Sequence, residues 1–182
     1  MSVPADKHYI AKLRAQAIQP FVRPADTVLD YGARDDLNFA GLIAARKLSI
    51  STDEDVGSLR EVDVVICHHV LEYLEEPIEV VRQLKSVLKP GGLLLVFALY
   101  DRAFRKPHIG ERAKHFYSWN VQTLGNLLVD CGYEFLSGEV RRWPNQEALL
   151  RWVPRIGYPL AKLGCHMFAP EFELRVAAKR PE

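Results

Sequence analysis

The sequence predicts a doubly wound α/β fold, with a mostly parallel sheet that carries helices on both faces. Apolar segments of strand length alternate with amphipathic segments of helix length along most of the chain. One of these strands, Val62–Cys67 ("VDVVIC"), is mostly apolar on both faces, as a central parallel strand between two helical layers requires. At 182 residues, a single domain with one sizeable core is expected.

The first half of the chain is predicted to supply two helices and three strands. Helical spacing of apolar residues places a lead-in helix in Ala5–Val22, which a proline ends, and a second helix in Asp36–Arg46. Thr27–Tyr31 ("TVLDY") and Lys47–Ser51 ("KLSIS") are the strands on either side of the second helix. Val62–Cys67 is the third strand.

The second half continues the alternation. Pro77–Leu88 begins with a proline in the first turn, has one apolar stripe and stops at "KPGG". Leu93–Leu99 ("LLLVFAL") is predicted as another buried strand, and a helix over Asn120–Cys131 ends at a glycine. Strands at Tyr133–Val140 and Phe172–Lys179 complete the sheet.

Composition and charge narrow the function classes. The chain has 48% hydrophobic residues and a formal net charge of +1, so the total charge does not indicate a nucleic-acid partner. The N-terminal "MSVPADKHYI" lacks an apolar segment, and no run approaches the roughly 20 apolar residues of a membrane-spanning helix. A cytoplasmic protein without a membrane span is expected.

The cysteines and one pair of histidines are the residues that could indicate a metal-binding site. Cys67, Cys131 and Cys165 are widely spaced and form no C-x-x-C pair, so free buried thiols are expected. The run "CHH" at Cys67–His69 places two imidazoles side by side. At a strand end, neighbouring side chains point to opposite faces of the sheet. We therefore expect that they do not converge on one ion, and no metal site is predicted.

The order of five segments along the chain indicates a protein family. The segments are "VLDYG", "VDVVICHHVLEYLEEP", "LKSVLKPGGLLLVF", "SWNVQTLGNLLVDCGYEF" and "FELRVAAKRP". In this order they resemble a small class I S-adenosylmethionine-dependent methyltransferase with a Rossmann-like fold. The second and third segments in succession are quite specific, and the resemblance covers about Thr27 to Arg180. It implies that S-adenosylmethionine is the cofactor and that a methyl group passes to an oxygen or nitrogen of a small or medium acceptor.

In that family the first strand ends in an acidic residue and a G-x-G-x-G turn around the methionine end of the cofactor. The resemblance assigns these roles to Asp30 and Gly32, with Ala33 as the small residue that follows. Arg34 stands where a glycine is usual; it could pair with the cofactor carboxylate or lie in solvent. Carboxylates at Asp35–Asp36 would repel a pyrophosphate, which argues against a dinucleotide and is compatible with S-adenosylmethionine.

Other site residues follow from the same resemblance. Asp53, beyond the second strand, lies at the spacing of the acidic residue that binds the ribose hydroxyls, with an exposed acidic loop as the alternative. Cys67 ends the third strand and His68 follows it, and both are assigned to the cofactor pocket. His115 is the leading candidate for the base that takes the acceptor's proton, and His69 is the second candidate, with a structural role equally open.

The sequence after the second strand is shorter than the family pattern. Only the eight residues "EDVGSLRE" separate Asp53 from Val62, where the family normally has a helix and another strand beside the adenine pocket. Eight residues cannot form both elements. The predicted sheet is therefore shortened by about one helix and one strand, to six strands. In the segment after the third strand, Glu72 is expected to cap a helix or to pair locally.

Two basic segments remain. Tyr100–Trp119 combines cations, histidines and aromatic residues near the expected ligand edge, which suggests an acidic or phosphorylated acceptor or else a solvated loop. Residues 141–170 contain four prolines and are predicted as short helices or an irregular cap between the last two strands. Within the single domain, which includes an N-terminal helix in residues 1–24, this cap could be a lid that binds a large or lipid-linked acceptor at an anionic surface, or a homodimer contact.

Two other functions are alternatives to a small-molecule methyltransferase. A non-catalytic protein on the same fold, acting as a partner or scaffold, is the main alternative, and the altered turn and the short link favour it. A nicotinamide oxidoreductase is disfavoured because the G-x-G-x-x-G turn is absent and carboxylates stand in its place.

Overall fold

The computed structural model describes residues 12, 14–32, 46–50, 56–100, 115–144, 152, 155–168 and 170–182. Residues 14–18 are helical and precede the first strand. The strands are β1 (Thr27–Tyr31), β2 (Arg46–Ile50), β3 (Val62–His68), β4 (Leu88–Leu99), β5 (Glu134–Pro144) and β6 (Pro170–Lys179). The helices that follow β3 are α1 (Pro77–Val87), α2 (Val121–Asp130) and α3 (Tyr158–Phe168).

The strands form one sheet in the order β2–β1–β3–β4–β6–β5. The pairs β1–β2, β1–β3 and β3–β4 are parallel, whereas β6 runs antiparallel to both β4 and β5. Within the described part of the chain the sheet therefore has six strands, as the short link after Asp53 predicted. The doubly wound, mostly parallel fold is confirmed.

Both faces of the sheet are covered by helix. On one face, α1 and α2 bury Leu84, Leu124 and Leu128 completely against the strands. On the other face, the helical residues 14–18 contribute Ile18, which packs with Val64 and its neighbours on the central strands. The predicted helical layers on both sides of the sheet are confirmed.

Local sequence sets the ends of the helices. Pro77 occupies the first turn of α1, where its missing N–H has no partner to lose. α2 begins with a capping box, in which the Asn120 side chain accepts a hydrogen bond from the Thr123 amide at 2.9 Å and the Thr123 hydroxyl accepts one from the Asn120 amide at 3.1 Å. Gly132, with a φ of 83°, turns the chain out of α2 toward β5.

Several strand ends differ from the prediction. The "KPGG" segment stops α1 as expected, but it forms a bulge inside β4, which therefore starts at Leu88 rather than Leu93. A Cβ at Gly92 would lie 2.9 Å from the Lys89 carbonyl oxygen, so this bulge requires glycine. The antiparallel pairing of β5 with β6 continues to Pro144 and Pro170, so both strands extend beyond their predicted ends. In the predicted helix over residues 36–46, Arg46 begins β2 and the remainder lies outside the described residues.

The segment between β5 and β6 contains α3. This 11-residue helix and the turn before it expose four large apolar side chains, each 48% to 61% accessible: Ile156, Leu160, Leu163 and Met167. Within the described ranges, no helix is long and apolar enough to cross a bilayer.

Two of the cysteines, Cys67 and Cys131, are buried free thiols, as predicted. The side chain of Cys165 is not among those that the structure describes.

The Asp63 side chain connects the amino-terminal ends of β1 and β3 through a hydrogen bond. Its carboxylate accepts hydrogen bonds from the Thr27 amide at 2.8 Å and from Lys89 Nζ at 2.7 Å. Burial raises the pKa of Asp63, but the hydrogen bonds from Lys89 and Thr27 lower it by more, so the pKa lies below its ordinary value. The folded state therefore favours the ionised carboxylate.

Asp63→Asn should lower the free energy of unfolding by about 1 kcal/mol at pH 7. Because the folded-state pKa is depressed, this stabilisation is present above the unfolded-state pKa of about 3.9 and is lost as the pH falls through the folded-state value. Urea unfolding at pH 7 and pH 3 measures the effect. The difference between wild type and variant should shrink at pH 3, and an equal difference at both pH values would contradict the linkage.

Candidate functional site

The carboxyl ends of β1, β2 and β3 lie level at one edge of the sheet. Tyr31, the last residue of β1, pairs with Ile50 on one side and with Cys67 on the other. The chain forms β2 on one side of β1 and then β3 on the other, so the strand order reverses between β1 and β3. Ligands of open α/β sheets bind in the crevice at such a point. We call this place the β1–β3 crevice.

Two of the residues assigned to the cofactor from the sequence, Asp30 and Gly32, lie at this crevice. Asp30 is the last residue but one of β1 and is buried, with 5% of its surface exposed. Gly32 has a φ of 75°, a left-handed conformation that glycine adopts readily and that turns the chain directly after the strand. The other predicted residues of the turn and the second strand, Ala33, Arg34 and Asp53, lie outside the described residues.

Cys67 and His68 end β3 and face opposite sides of the sheet. Cys67 belongs to the core under α1 and α2, where burial raises the pKa of its thiol well above the ordinary value. His68 stacks on Phe97 on the other face, with 5.2 Å between the ring centroids. Only 5% of the His68 side chain is exposed, and neither ring nitrogen has a hydrogen-bond partner among the described residues. Buried polar atoms without a partner are rare in folded proteins.

His69 breaks the alternation that the sequence argument assumed. Its φ is 53°, in the left-handed region instead of the extended one. Its ring lies beside that of His68, with 4.4 Å between the centroids. The expectation that these two histidines cannot converge is therefore wrong, because the strand ends at His68 and the alternation ends with it.

The two imidazoles meet a carboxylate from β6. Glu173 Oε1 lies 3.5 Å from His68 Nε2 and 3.5 Å from His69 Nε2. The other oxygen of Glu173 accepts a hydrogen bond from Arg175 Nε at 2.7 Å. Cross-strand pairing places His68, Phe97 and Arg175 in one row over β3, β4 and β6, with Glu173 two residues from Arg175 on the same face.

A second buried carboxylate contacts His69 from another side. Glu72 Oε1 is 3.0 Å from His69 Nδ1 and accepts a hydrogen bond from the Leu99 amide at 3.3 Å. The Glu72 backbone carbonyl accepts another from the Phe116 amide at 2.8 Å. The local pairing predicted for Glu72 is confirmed, and this residue connects the turn after β3, the end of β4 and the segment that follows residue 114.

The two histidines differ widely in pKa. Burial, together with His69 and Arg14, lowers the pKa of His68 to about 3. Burial also lowers the pKa of His69, but Glu173 and Glu72 raise it by more, to about 9. Burial raises the pKa of Glu173, yet the two histidines lower it further and leave it below the ordinary value. These shifts leave His68 neutral and His69 protonated between two carboxylates at neutral pH.

His115, the predicted base, lies near the same edge but outside the His68–His69–Glu173 cluster. It is exposed, its Nε2 is 2.9 Å from the Tyr73 hydroxyl, and the two ring centroids are 4.6 Å apart. The hydrogen bond from Phe116 to the Glu72 carbonyl holds this segment against the turn that follows β3. The basic residues expected to bind the acceptor fall in residues 101–114, outside the described ranges.

Glu173 and Arg175 were missed by the sequence prediction. The strand "FELRVAAK" alternates polar and apolar residues in its first half, a pattern typical of a strand with one face in solvent. In the structure Glu173 is only 2% exposed, because its face of the sheet is covered at this edge. The signal was the pair of opposite charges two residues apart in a strand that pairs with the buried segment Leu94–Ala98 of β4.

Comparison with known proteins identifies the family of this chain. Residues 5–163 match a family model described as a methyltransferase domain. The chain belongs to the methyltransferase domain family. The match includes β1 to β5 and therefore the β1–β3 crevice and both histidines of β3 and its turn. It confirms the family recognised in the sequence. No curated protein matches the chain in sequence.

Solved structures show the same fold as this methyltransferase domain. An S-adenosylmethionine-dependent methyltransferase from Methanosarcina mazei has a TM-score of 0.60 at 14% identity, over 91% of this chain and 97% of that one. The Burkholderia thailandensis 1,6-didemethyltoxoflavin-N1-methyltransferase, solved with 1,6-didemethyltoxoflavin and S-adenosylhomocysteine, has a TM-score of 0.61 at 14% identity, over 94% and 79%. The [4+2]-cyclase SpnF has a TM-score of 0.61 at 16% identity, over 93% and 81%. At these identities the likeness is evidence for the class I methyltransferase fold alone.

Proposed function

We propose that this chain binds S-adenosylmethionine in the β1–β3 crevice and transfers a methyl group to an oxygen or nitrogen of a small or medium acceptor. The observation that carries the proposal is the buried carboxylate of Asp30, followed by the left-handed turn at Gly32 where the strand order reverses. These residues fit that cofactor, because a carboxylate favours a ligand that carries an ammonium and a sulfonium and no phosphate. Membership of the methyltransferase domain family supports the same function.

The chain's own residues have separate roles in this proposal. Asp30 and Gly32 hold the methionine end of the cofactor, and Ala33 and Arg34 continue that turn. Asp53 binds the ribose hydroxyls. The carboxyl end of β3, with Cys67 and His68, forms the facing wall of the crevice, which the level strand ends support.

When bound, the cofactor supplies a methyl group on a sulfonium, which an acceptor lone pair attacks in line as the carbon–sulfur bond breaks. The chain must then orient the acceptor and accept its proton. We assign the proton to His115, because it is exposed at the edge and contacts Tyr73, whereas both ring nitrogens of His69 face buried carboxylates, those of Glu72 and Glu173. The basic composition of residues 101–114 favours an acidic acceptor.

Calorimetric titration with S-adenosylmethionine and S-adenosylhomocysteine tests the cofactor assignment. We expect saturable binding of one ligand per chain, and Arg34→Ala should weaken it. Arg23→Ala is the matched control, because Arg23 is exposed and precedes β1 at the opposite edge of the sheet, so its removal should leave the affinity unchanged. Absence of heat with both ligands at high micromolar concentration would overturn the assignment and favour the non-catalytic alternative.

A further inference from the structure

We propose that His68, His69 and Glu173 form a binding site for a divalent transition-metal ion of the zinc class. One ligand atom from each residue lies within 4.8 Å of the other two. The three residues come from the end of β3, the turn after it and the start of β6, so the fold brings them together from distant parts of the sequence. Methyl transfer from a sulfonium does not itself require a metal, so the site goes beyond the proposed function.

The separations fit shared coordination better than hydrogen bonding. Glu173 Oε1 is 3.5 Å from both His68 Nε2 and His69 Nε2, longer than a normal N–H···O hydrogen bond of about 2.7–3.2 Å. Two ligand atoms that each lie about 2.1 Å from a tetrahedral zinc ion are roughly 3.4 Å apart. Both separations from Glu173 Oε1 match that value, and the ligand atoms of the two histidines, which lie within 4.8 Å of each other, would have to move closer by at most about 1.4 Å.

The atoms that face one another also lack other partners. His68 Nδ1, His68 Nε2 and Glu173 Oε1 are buried without a hydrogen-bond partner among the described residues. The side chains of His68 and Glu173 are 5% and 2% exposed. Leaving such atoms unsatisfied in the interior costs about 1–3 kcal/mol each. A bound cation would remove this cost for the imidazole nitrogen and the carboxylate oxygen that point at it.

Neighbouring groups hold the ligands in the orientation that a metal needs. Glu72 contacts His69 Nδ1 at 3.0 Å and would keep the proton on that nitrogen when an ion replaces the proton of Nε2, which faces Glu173. Arg175 occupies only Oε2 of Glu173, at 2.7 Å, and leaves Oε1 to face the histidines. Carboxylate partners of this kind accompany most metal-binding histidines. The left-handed backbone at His69 is the local strain that places its ring in the cluster.

The donor set points to the class of ion. Two imidazoles and one carboxylate suit Zn²⁺, and also Co²⁺ or Fe²⁺, better than the oxygen-preferring Mg²⁺ or Ca²⁺. Three protein ligands leave a fourth position open, as in catalytic zinc sites. On the proposed function, and only on that basis, this position would receive an ionised oxygen of the methyl acceptor.

Cobalt titration of the tag-free, chelator-treated protein tests the site without any methyl donor. Co²⁺ reports its coordination through visible d–d absorption, and Zn²⁺ should then displace it. We expect one Co²⁺ per chain, and an increase in melting temperature when Zn²⁺ is added. Because S-adenosylmethionine is left out, failure of this titration is distinguishable from failure of the proposed function.

Variants separate this site from adventitious binding. Glu173→Gln keeps the side-chain volume and should weaken Co²⁺ binding by about 100-fold or more, and Glu72→Gln by about 10- to 100-fold. Glu134→Gln is the control, because that carboxylate is exposed on β5 beside Lys179, at the end of β6 away from Glu173, and the variant should bind Co²⁺ as wild type does. If Glu173→Gln does not fold, His69→Gln takes its place. An absent Co²⁺ spectrum in wild type, or unchanged affinity in the folded ligand variant, would overturn the proposal.

Discussion

Asp30→Asn should weaken the binding of S-adenosylhomocysteine by about 10- to 150-fold. The substitution keeps the size of the side chain and removes the negative charge that the proposed function places near the ammonium of the ligand. A hydrogen bond to a charged partner contributes about 1.5–3 kcal/mol, which corresponds to this range of affinity. Isothermal titration calorimetry of wild type and variant under one buffer condition measures the change.

Asp63→Asn is the matched control for that experiment. Both aspartates are at strand positions in the same sheet, but Asp63 bonds the Thr27 amide at the amino-terminal edge, away from the β1–β3 crevice. Its variant should lose stability and keep its ligand affinity. An equal loss of affinity in the two variants would mean that Asp30 acts through the stability of the sheet and not through the ligand.

Leu84→Ala should lower the free energy of unfolding by about 2–5 kcal/mol. Leu84 lies in α1 and is completely buried in the core cluster that also contains Leu94 of β4 and Leu124 of α2. Truncation removes apolar contacts and leaves a cavity that the close-packed core can fill only in part. Equilibrium unfolding in urea, monitored by circular dichroism, gives the free energy for both proteins.

Ile78→Ala provides the comparison within the same helix. Ile78 is 46% exposed, and its truncation has a similar effect on helix propensity without opening a buried cavity. We expect a change of no more than about 0.5 kcal/mol. If both alanine variants unfold at the same urea concentration, the buried face of α1 is not what anchors it to the sheet.

The sequence predicts most of the fold because its signals are local. The apolar strands and the amphipathic helices show their own periodicity, and the eight residues after Asp53 exclude an extra helix and strand by length alone. The family motifs place Asp30 and Gly32 at the strand end where the structure has them. These features need no knowledge of what lies across the sheet.

The cluster around His69 was not predictable in the same way. Strand periodicity assumes extended backbone, and a single residue with a φ of 53° reverses the direction of its side chain. Glu173 lies more than 100 positions later in the chain, and only the antiparallel pairing of β6 with β4 brings it to the histidines. Likewise, the bulge in β4 depends on how Gly92 packs against Asp63, which no local pattern encodes.

The backbone conformation of His69 also bears on how this protein would respond to engineering. A left-handed non-glycine residue costs roughly 1–2 kcal/mol relative to glycine. Glycine or asparagine at position 69 would relieve this strain, but it would also leave the buried carboxylates of Glu72 and Glu173 without the imidazole that lies between them. The strain and the ion pairs thus oppose each other at this one position, so thermostable variants of the chain should be sought at sites distant from it.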